Sequence, residues 1–268
     1  MSLLEAKNIT KDYNGRTIIR NICIHLEPGE LVCLLGLSGC GKTTLFHVLS
    51  GLTMPREGRV FINGQDTTGK PGCVSYMLQK DLLLPHKKVI DNVSLPLVLN
   101  GKKAKDARRI ADPMFAEFGL EGCQDQYPSS LSGGMRQRAA FLRTYLYAVK
   151  DREDPSGGGT DPVQAGSYAA ALLDEPFSAL DTITKGQIHS WYLDVMKKID
   201  LSTIFITHDI DEAILLSDRI YLMTGSPGVI EHEIRVSPDR NERKDFNLTN
   251  EFLEYKRRII RILGESKQ

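Results

Sequence analysis

The sequence has no excess of either charge, since lysine plus arginine and aspartate plus glutamate each total 34 among 268 residues. A net charge of zero gives no indication of nucleic acid as a partner. No stretch approaches the ~20 apolar residues of a membrane span, and the N-terminus lacks the apolar core of a signal peptide. The five cysteines form no C-x-x-C pair, which argues against a metal site built on them. We therefore expect a soluble, cytosolic protein with one large α/β domain or two small ones.

A glycine-rich segment at residues 36–43 carries the strongest chemical signal in the chain. It fits G-x-x-x-x-G-K-[ST], the phosphate-binding loop or Walker A motif, and its residues are Gly36, Leu37, Ser38, Gly39, Cys40, Gly41, Lys42 and Thr43. The apolar run 31–35 before it predicts a buried strand, and residues 44–51 after it predict a helix. The glycines let backbone N–H groups surround phosphate oxygens, and the helix N-terminus favours an anion. The alternative is a chance glycine-rich turn, which the flanking patterns disfavour.

Individual residues of this loop have expected roles in binding ATP and Mg²⁺. The positive charge of Lys42 would lie next to the β- and γ-phosphates, and the Thr43 hydroxyl would bind Mg²⁺. Thr44 completes the predicted ATP site. Cys40 has two interpretations, a reactive thiol whose pKa is lowered by the helix N-terminus or a small residue whose sulfur is incidental, and the second is favoured. Cys23, Cys33 and Cys73 lie in apolar strand-like runs and are expected in the core.

The remaining patterns predict an α/β core with a helical insertion. Strand patterns cover 3–9 and 17–26, with a turn at 11–15, and helical patterns dominate 80–150. Strand patterns return at 168–173, 202–207 and 219–223. Residues 150–167 are polar and glycine-rich and predict a surface loop. We expect a main domain at 1–236 and a charged tail at 237–268, whose closing helix is indicated by Phe252, Ile259, Ile260 and Leu263.

Asp174 and Glu175 follow the apolar run 168–173 and supply the acidic groups that a phosphate loop requires. Asp174 would hold Mg²⁺, and Glu175 would polarise the attacking water. The alternative is a polar turn after a strand. The string Leu131-Ser132-Gly133-Gly134-Met135 adds a second helix N-terminus suited to an anion. One nucleotide needs only one phosphate loop, so a second such site requires an explanation.

These motifs together resemble the ATP-binding-cassette (ABC) ATPases. The resemblance implies a P-loop NTPase core of the ABC type, with an antiparallel β subdomain and an inserted α-helical signature subdomain. It implies that Ser132, Gly133 and Gly134 of one copy cap the γ-phosphate held by the phosphate loop of another, in a homodimer or beside a similar cassette. Asp181 then resembles the residue that communicates across that dimer.

Three further residues take roles from the same resemblance. Tyr13 is similar to the aromatic residue that stacks on adenine, the alternative being an exposed turn tyrosine. Gln79 resembles the glutamine that contacts Mg²⁺ and water and couples to the membrane subunit, the alternative being a polar strand end. His208 resembles the switch histidine that contacts the γ-phosphate, the alternative being a structural histidine.

The segments 223–230 and 251–260 resemble the endings of the nitrate/sulfonate/taurine importer group, which includes carriers of pyrimidine precursors. That resemblance implies an ATP-hydrolysing importer subunit on the cytoplasmic face of the membrane. Its implied partners are integral membrane permease subunits and, indirectly, an extracytoplasmic solute-binding protein. The alternatives left open are an exporter ATPase and a non-transport cassette ATPase that serves assembly or acts as a scaffold. The transported solute is not readable from the sequence.

Overall fold

The computed structural model describes residues 2–149, 169–178, 182–199, 201–243 and 245–265. The chain divides into two compact units. The first comprises the residues up to Val74, Leu172–Glu175 and those from Ser202 onward, and the second comprises Ser75–Ala171 and Pro176–Leu201. None of the helices among the described residues is long and apolar enough to cross a bilayer.

The first unit contains an antiparallel sheet with strand order β2-β1-β4-β5. Its strands are β1 (Leu4–Tyr13), β2 (Arg16–Leu26), β4 (Glu57–Ile62) and β5 (Gln65–Asp66). The hairpin between β1 and β2 turns at Asn14 and Gly15, which both have positive φ, at 49° and 76°. That conformation suits the two-residue turn of a hairpin. The predicted turn at 11–15 and first strand at 3–9 were therefore wrong in extent, because pairing with β2 continues to Tyr13.

The first unit also contains most of a larger sheet, in which β10, β9, β3, β8 and β7 follow one another in that order. Its strands are β3 (Leu31–Gly36), β7 (Ala169–Asp174), β8 (Leu201–Thr207), β9 (Arg219–Thr224) and β10 (Val229–Arg235). Strand β3 pairs in parallel with β8 and β9. Strands β3, β7, β8 and β9 are buried along their whole length, as expected for a sheet covered on both faces.

Three helices accompany these strands, α1 (Lys42–Leu49), α8 (Ile210–Leu216) and α9 (Asn250–Glu265). Helix α9 buries Phe252 and Ile259 and confirms the predicted closing helix, although Ile260 is half exposed. The predicted domain boundaries at 236 and 237 stay a prediction. Strand β10 is an element that the sequence patterns did not predict.

The second unit consists mainly of helices around an aromatic core. Its elements are β6 (Ser75–Met77), α2 (Val89–Val93), α3 (Leu95–Leu99), α4 (Ala104–Ala111), α5 (Met114–Glu117), α6 (Gly133–Ala148) and α7 (Thr182–Met196). Phe118 lies 5.7 Å from Phe141 and 6.1 Å from Trp191, measured between ring centroids. Edge-on and tilted ring contacts of this kind stabilise a core beyond the area they bury. They pack α6 against α7, and α6 is the helix that begins within the signature string, residues 131–135.

Two of the three cysteines expected in the core are exposed. Cys33 is buried on β3, but Cys23 and Cys73 are not. Cys23 lies on β2 between the buried Ile22 and Ile24, and alternate residues of a strand face opposite sides of the sheet. Cys73 lies in the turn before β6. For Cys23 the strand was predicted correctly but not the face on which the thiol lies, whereas for Cys73 the predicted strand-like run was wrong, because the strand begins only at Ser75.

Candidate functional site

The phosphate-binding loop connects the end of β3 to the start of α1. Gly39 and Gly41 have φ of 87° and 102°, in the left-handed region that side chains with a Cβ rarely adopt. A Cβ on Gly41 would also stand 2.6 Å from Cγ2 of Ile19 on β2. Both conformation and packing therefore require glycine at position 41.

Lys42 reaches back over the loop from the first residue of α1. Its Nζ donates hydrogen bonds to the carbonyl oxygens of Gly36, at 2.7 Å, and Leu37, at 3.0 Å. The side chain is buried, whereas Thr43, Ser38 and Gly39 are exposed and Thr44 is half-buried. The ammonium group is thus held at the loop, while the Thr43 residue faces solvent.

Cys40 acts as a packing residue within this loop. It is buried, and burial raises the pKa of its thiol. The raised pKa contradicts the interpretation of Cys40 as a thiol activated by the helix N-terminus and agrees with the simpler one. A thiol that stays protonated is a weak nucleophile.

The order of the strands brings the predicted acidic residues and the histidine near the edge that carries the loop. In the pairing of β3 with β8, Leu35 is opposite Thr207, so both strands end together. Asp174 ends β7 and is buried, and Glu175 and His208 follow β7 and β8 directly. The carboxyl ends of parallel strands are where α/β proteins place their ligands.

Glu175 and His208 contact one another directly. The distance from His208 Nδ1 to Glu175 Oε1 is 3.2 Å, and the backbone N–H of Glu175 donates to the carbonyl of Ile206 at 3.1 Å. Glu175 has φ of 46°, an uncommon conformation for a residue with a Cβ. Such residues carry about 1–3 kcal/mol of strain and concentrate at functional sites. The carboxylate is one-fifth exposed and the imidazole about half exposed, so both are accessible from solvent.

His208 is placed by the hydrogen bonds of the residues on either side of it. The Thr207 hydroxyl donates to the buried carboxylate of Glu212 and accepts from the Asp209 N–H at 3.0 Å. The Asp209 carboxylate caps α8 by accepting from the N–H groups of Asp211, at 2.9 Å, and Glu212, at 3.3 Å. An aspartate at this position is a strong helix N-cap. The string Thr207-His208-Asp209 thus sets the backbone around the imidazole.

Tyr13 stands at the exposed end of β1, and the ammonium of Lys11 lies 4.9 Å from its ring centroid. The hairpin that carries it reaches the phosphate loop through β2, where Ile18 and Ile19 lie against Gly41.

Gly228 is a residue of this region whose role sequence reasoning missed. Its N–H donates to the carbonyl of Ile18 at 2.8 Å. A Cβ at this position would overlap the carbonyl oxygen of Cys40 and stand 3.1 Å from its carbonyl carbon. Gly228 therefore backs the phosphate loop, and the only signal for it was the Ser226-Pro227-Gly228 string.

In the second unit, the signature string forms an open helix N-terminus. Ser132 is the N-cap of α6, and its hydroxyl accepts from the Met135 N–H at 3.3 Å. Ser132 and Gly133 are exposed and Gly134 is half-buried. The first N–H groups of a helix have no partner within the helix, and they favour an anion. This surface is suited to bind a phosphate.

Two arginines of α6 tie the segment after Gln79 to the signature helix. Gln79 itself is exposed just after β6. Arg136 Nε donates to the Asp81 carboxylate at 3.3 Å, and Arg143 donates to the carbonyls of Asp81 and Leu82, at 2.5 and 3.0 Å. Asp181 and the loop at 150–167 lie outside the described residues.

The family model for ABC transporters matches residues 19–150. The formylaminopyrimidine import ATP-binding protein ThiZ of Halalkalibacterium halodurans is 36% identical, over 97% of this chain and 93% of that protein. The chain belongs to the ABC transporter family.

Other members of the ABC transporter family are similar over nearly as much of the chain. The nitrate import ATP-binding protein NrtD of Synechocystis sp. is 32% identical, over 97% of this chain and 94% of that protein. The aliphatic sulfonates import ATP-binding protein SsuB 2 of Burkholderia cenocepacia is 36% identical, over 92% and 83%. These relatives confirm the resemblance to the nitrate/sulfonate importer group.

Solved structures confirm the fold. A nucleotide-free ATP-binding cassette from an ABC transporter superposes with a TM-score of 0.71 at 20% identity, covering 96% of this chain and 99% of the other. A dimeric bacterial ABC transporter cassette gives a TM-score of 0.68 at 24% identity, covering 88% and 100%. The predicted α/β P-loop core of the ABC ATPase type is therefore correct.

Proposed function

We propose that this chain is the ATP-hydrolysing subunit of an importer for a small solute. One observation carries the proposal. The phosphate loop with Lys42, the buried carboxylate of Asp174 and the Glu175–His208 pair all lie at one edge of the sheet. The similarity to ThiZ, SsuB 2 and NrtD, three import ATP-binding proteins, supports the transport role.

The residues at this edge fit the binding of ATP with Mg²⁺. Left-handed glycines shape the loop, and the Lys42 ammonium is available to replace its carbonyl partners with phosphate oxygens. Thr43 supplies a hydroxyl and Asp174 a carboxylate, and Mg²⁺ prefers such oxygen donors in combination with substrate phosphates. A bound Mg²⁺ ion would neutralise part of the negative charge of the nucleotide phosphates. Tyr13 would stack on adenine, and Gln79 would add an oxygen ligand.

Glu175 is the proposed general base for the attacking water. Its carboxylate is near enough to His208 for that imidazole to orient it, at 3.2 Å. His208 would also contact the γ-phosphate. Phosphoryl transfer to water requires mainly positioning and charge stabilisation. The pre-set backbone of both residues supplies that positioning.

The exposed signature helix is the proposed second half of the site, used in trans. Two copies, or this chain and a similar cassette, would each offer Ser132, Gly133 and Gly134 to the nucleotide of the other. Asp181 would transmit closure between them, and membrane permease subunits would dock beside Gln79 on the cytoplasmic face. The solute would be of the nitrate/sulfonate/taurine type or the pyrimidine-precursor type, delivered by an extracytoplasmic solute-binding protein.

The test of the enzymatic role is Glu175→Gln, with Glu231→Gln on the exposed part of β10 as the matched control. We expect Glu175→Gln to reduce ATP turnover by about 10²-fold or more, the size of a general-base contribution. It should retain ATP and elute as a dimer in size-exclusion chromatography with MgATP. Glu231→Gln should behave as the parent. Turnover by Glu175→Gln at the parent rate would refute the role of Glu175.

The test of the transport role is co-purification from membranes of the source cell. An importer subunit should bring down a multi-span membrane protein, in an amount that falls when the docking segment beside Gln79 is substituted. Recovery of the chain without any membrane protein would favour the non-transport alternative.

A further inference from the structure

Helix α8, which begins two residues after His208, is held at both ends by the C-terminal segment, here Arg243 together with residues 245–256. The two contacts are made by Arg243 and Lys256. All of these residues belong to the first unit.

Arg243 holds the C-terminal end of α8. Its guanidinium is buried and donates to the carbonyl oxygens of Ile214, at 2.9 Å, and Ser217, at 2.7 Å. The last carbonyls of a helix have no partner within it, so a cation there satisfies them and complements the helix dipole. The same guanidinium donates to Val236 and Pro238, at 3.1 and 2.9 Å. Arg243 thus joins the end of α8 to the segment after β10.

Lys256 holds the N-terminal end of the same helix. Its Nζ lies 2.7 and 2.9 Å from the two carboxylate oxygens of Asp211 in the first turn of α8. The N–H of Asp211 in turn donates to the Asp209 carboxylate that caps the helix. Asp209 is the immediate neighbour of His208. The path from Lys256 to His208 therefore passes through Asp211 and Asp209, and its last link is the backbone between Asp209 and His208.

Helix α9 is itself firmly anchored, so Lys256 is a fixed support. Phe252 and Ile259 are buried, and the Phe252 ring meets Phe246 edge-on at 5.8 Å between centroids. The Tyr255 hydroxyl accepts from the Ser237 N–H at 3.0 Å. The side chain before Lys256 is thus bound to the segment that Arg243 also contacts.

We propose that Arg243 and Lys256 form a clamp that positions His208 for ATP hydrolysis by fixing α8. The inference rests on the proposed function, in which His208 contacts the γ-phosphate. Lys256 is a positioning residue, since it acts through Asp211 and Asp209. The clamp gives the C-terminal segment a role in the catalytic step.

The experiment compares Lys256→Gln with Lys256→Arg, which retains the charge, and with Arg258→Gln, an exposed residue of the same helix. Steady-state kinetics and hydrogen exchange are measured on the full chain. We expect Lys256→Gln to lower kcat roughly two- to fivefold with little change in KM for ATP, as the coupling of a half-exposed ion pair allows. Amide exchange should become faster in α8 but not in α1. Lys256→Arg should restore kcat, and Arg258→Gln should match the parent.

Two outcomes would overturn the clamp. One is an unchanged kcat in Lys256→Gln, whether or not exchange in α8 becomes faster. The other is a loss of kcat with equal acceleration of exchange in α1 and α8, since that is a general loss of stability. If the parent chain shows no ATP turnover, the proposed function fails separately, and the exchange comparison still decides whether Lys256 fixes α8.

Discussion

Gly228→Ala should weaken ATP binding although residue 228 belongs to no nucleotide motif. The added methyl would overlap the carbonyl oxygen of Cys40 in the phosphate loop. The φ of Gly228 lies outside the left-handed region, so alanine causes no backbone strain of its own there. The effect of the substitution is therefore a steric push on the loop.

The magnitude follows from the distances around Gly228. The new methyl would overlap the Cys40 carbonyl oxygen and stand 2.6 Å from Cε of Met223 and 3.1 Å from the Cys40 carbonyl carbon. Ordinary carbon contacts are about 3.5–4.0 Å, so the overlap with the oxygen requires the loop to move by roughly 1 Å or more. Gly228 cannot retreat freely, because its N–H and C=O pair with Ile18 and Arg20, at 2.8 and 2.9 Å. Overpacking of this kind costs about 1–3 kcal/mol. If half of that free energy falls on nucleotide binding, the affinity for ATP decreases by roughly two- to tenfold.

The assay is equilibrium titration with a fluorescent ATP analogue, alongside urea unfolding of the free protein. The matched control is Gly264→Ala on α9, where a Cβ meets nothing within 4 Å. That variant should bind ATP as the parent does and should not be less stable, because alanine is the better helix former. Parent-like ATP affinity in Gly228→Ala would refute the reasoning.

Two further predictions concern Tyr13 and Cys33. Tyr13→Ala should lower the affinity for ATP about three- to tenfold because stacking on adenine is lost, while Tyr13→Trp should keep the affinity. Equal affinities of the parent and both variants in the same titration would contradict the stacking role. Burial, followed by the charge of Glu212, raises the pKa of Cys33 well above 9.0. Because the pKa of the Cys33 thiol is higher in the folded than in the unfolded state, the unfolded state loses its proton first as the pH rises. The contribution of the protonated thiol to stability is therefore complete below the unfolded-state pKa and is lost as the pH rises above it. The free energy of unfolding, measured with urea, should therefore fall from pH 8 to pH 10, and it should fall less steeply in Cys33→Ala. An identical dependence on pH in both proteins would contradict a raised pKa of the Cys33 thiol.

Much of the fold could be predicted from the sequence because its signals are local. The buried strand before the phosphate loop, the helix that follows the signature and the closing amphipathic helix were all placed correctly. Continuous apolar runs indicate fully buried parallel strands. The turn at Asn14 and Gly15 was recognised, but not that pairing extends β1 to Tyr13. Strand β10 has no such run, since only Ile234 is buried within it, and it was missed.

The sequence by itself determined the chemistry available to this protein: a glycine loop with lysine, two carboxylates after a strand, a histidine before a capped helix, and a second anion-binding helix start. These depend on neighbouring residues, whose spacing is written directly in the chain. Only the tertiary structure decided that Glu175 meets His208, that Gly228 backs Cys40, and that Arg243 and Lys256 hold α8. Those contacts join residues that are 26 to 188 positions apart in the sequence and lie on different elements. They arise from the order of the strands and the packing of the helices. Local patterns specify each element and its apolar face, but which distant side chains meet is settled by how the elements pack.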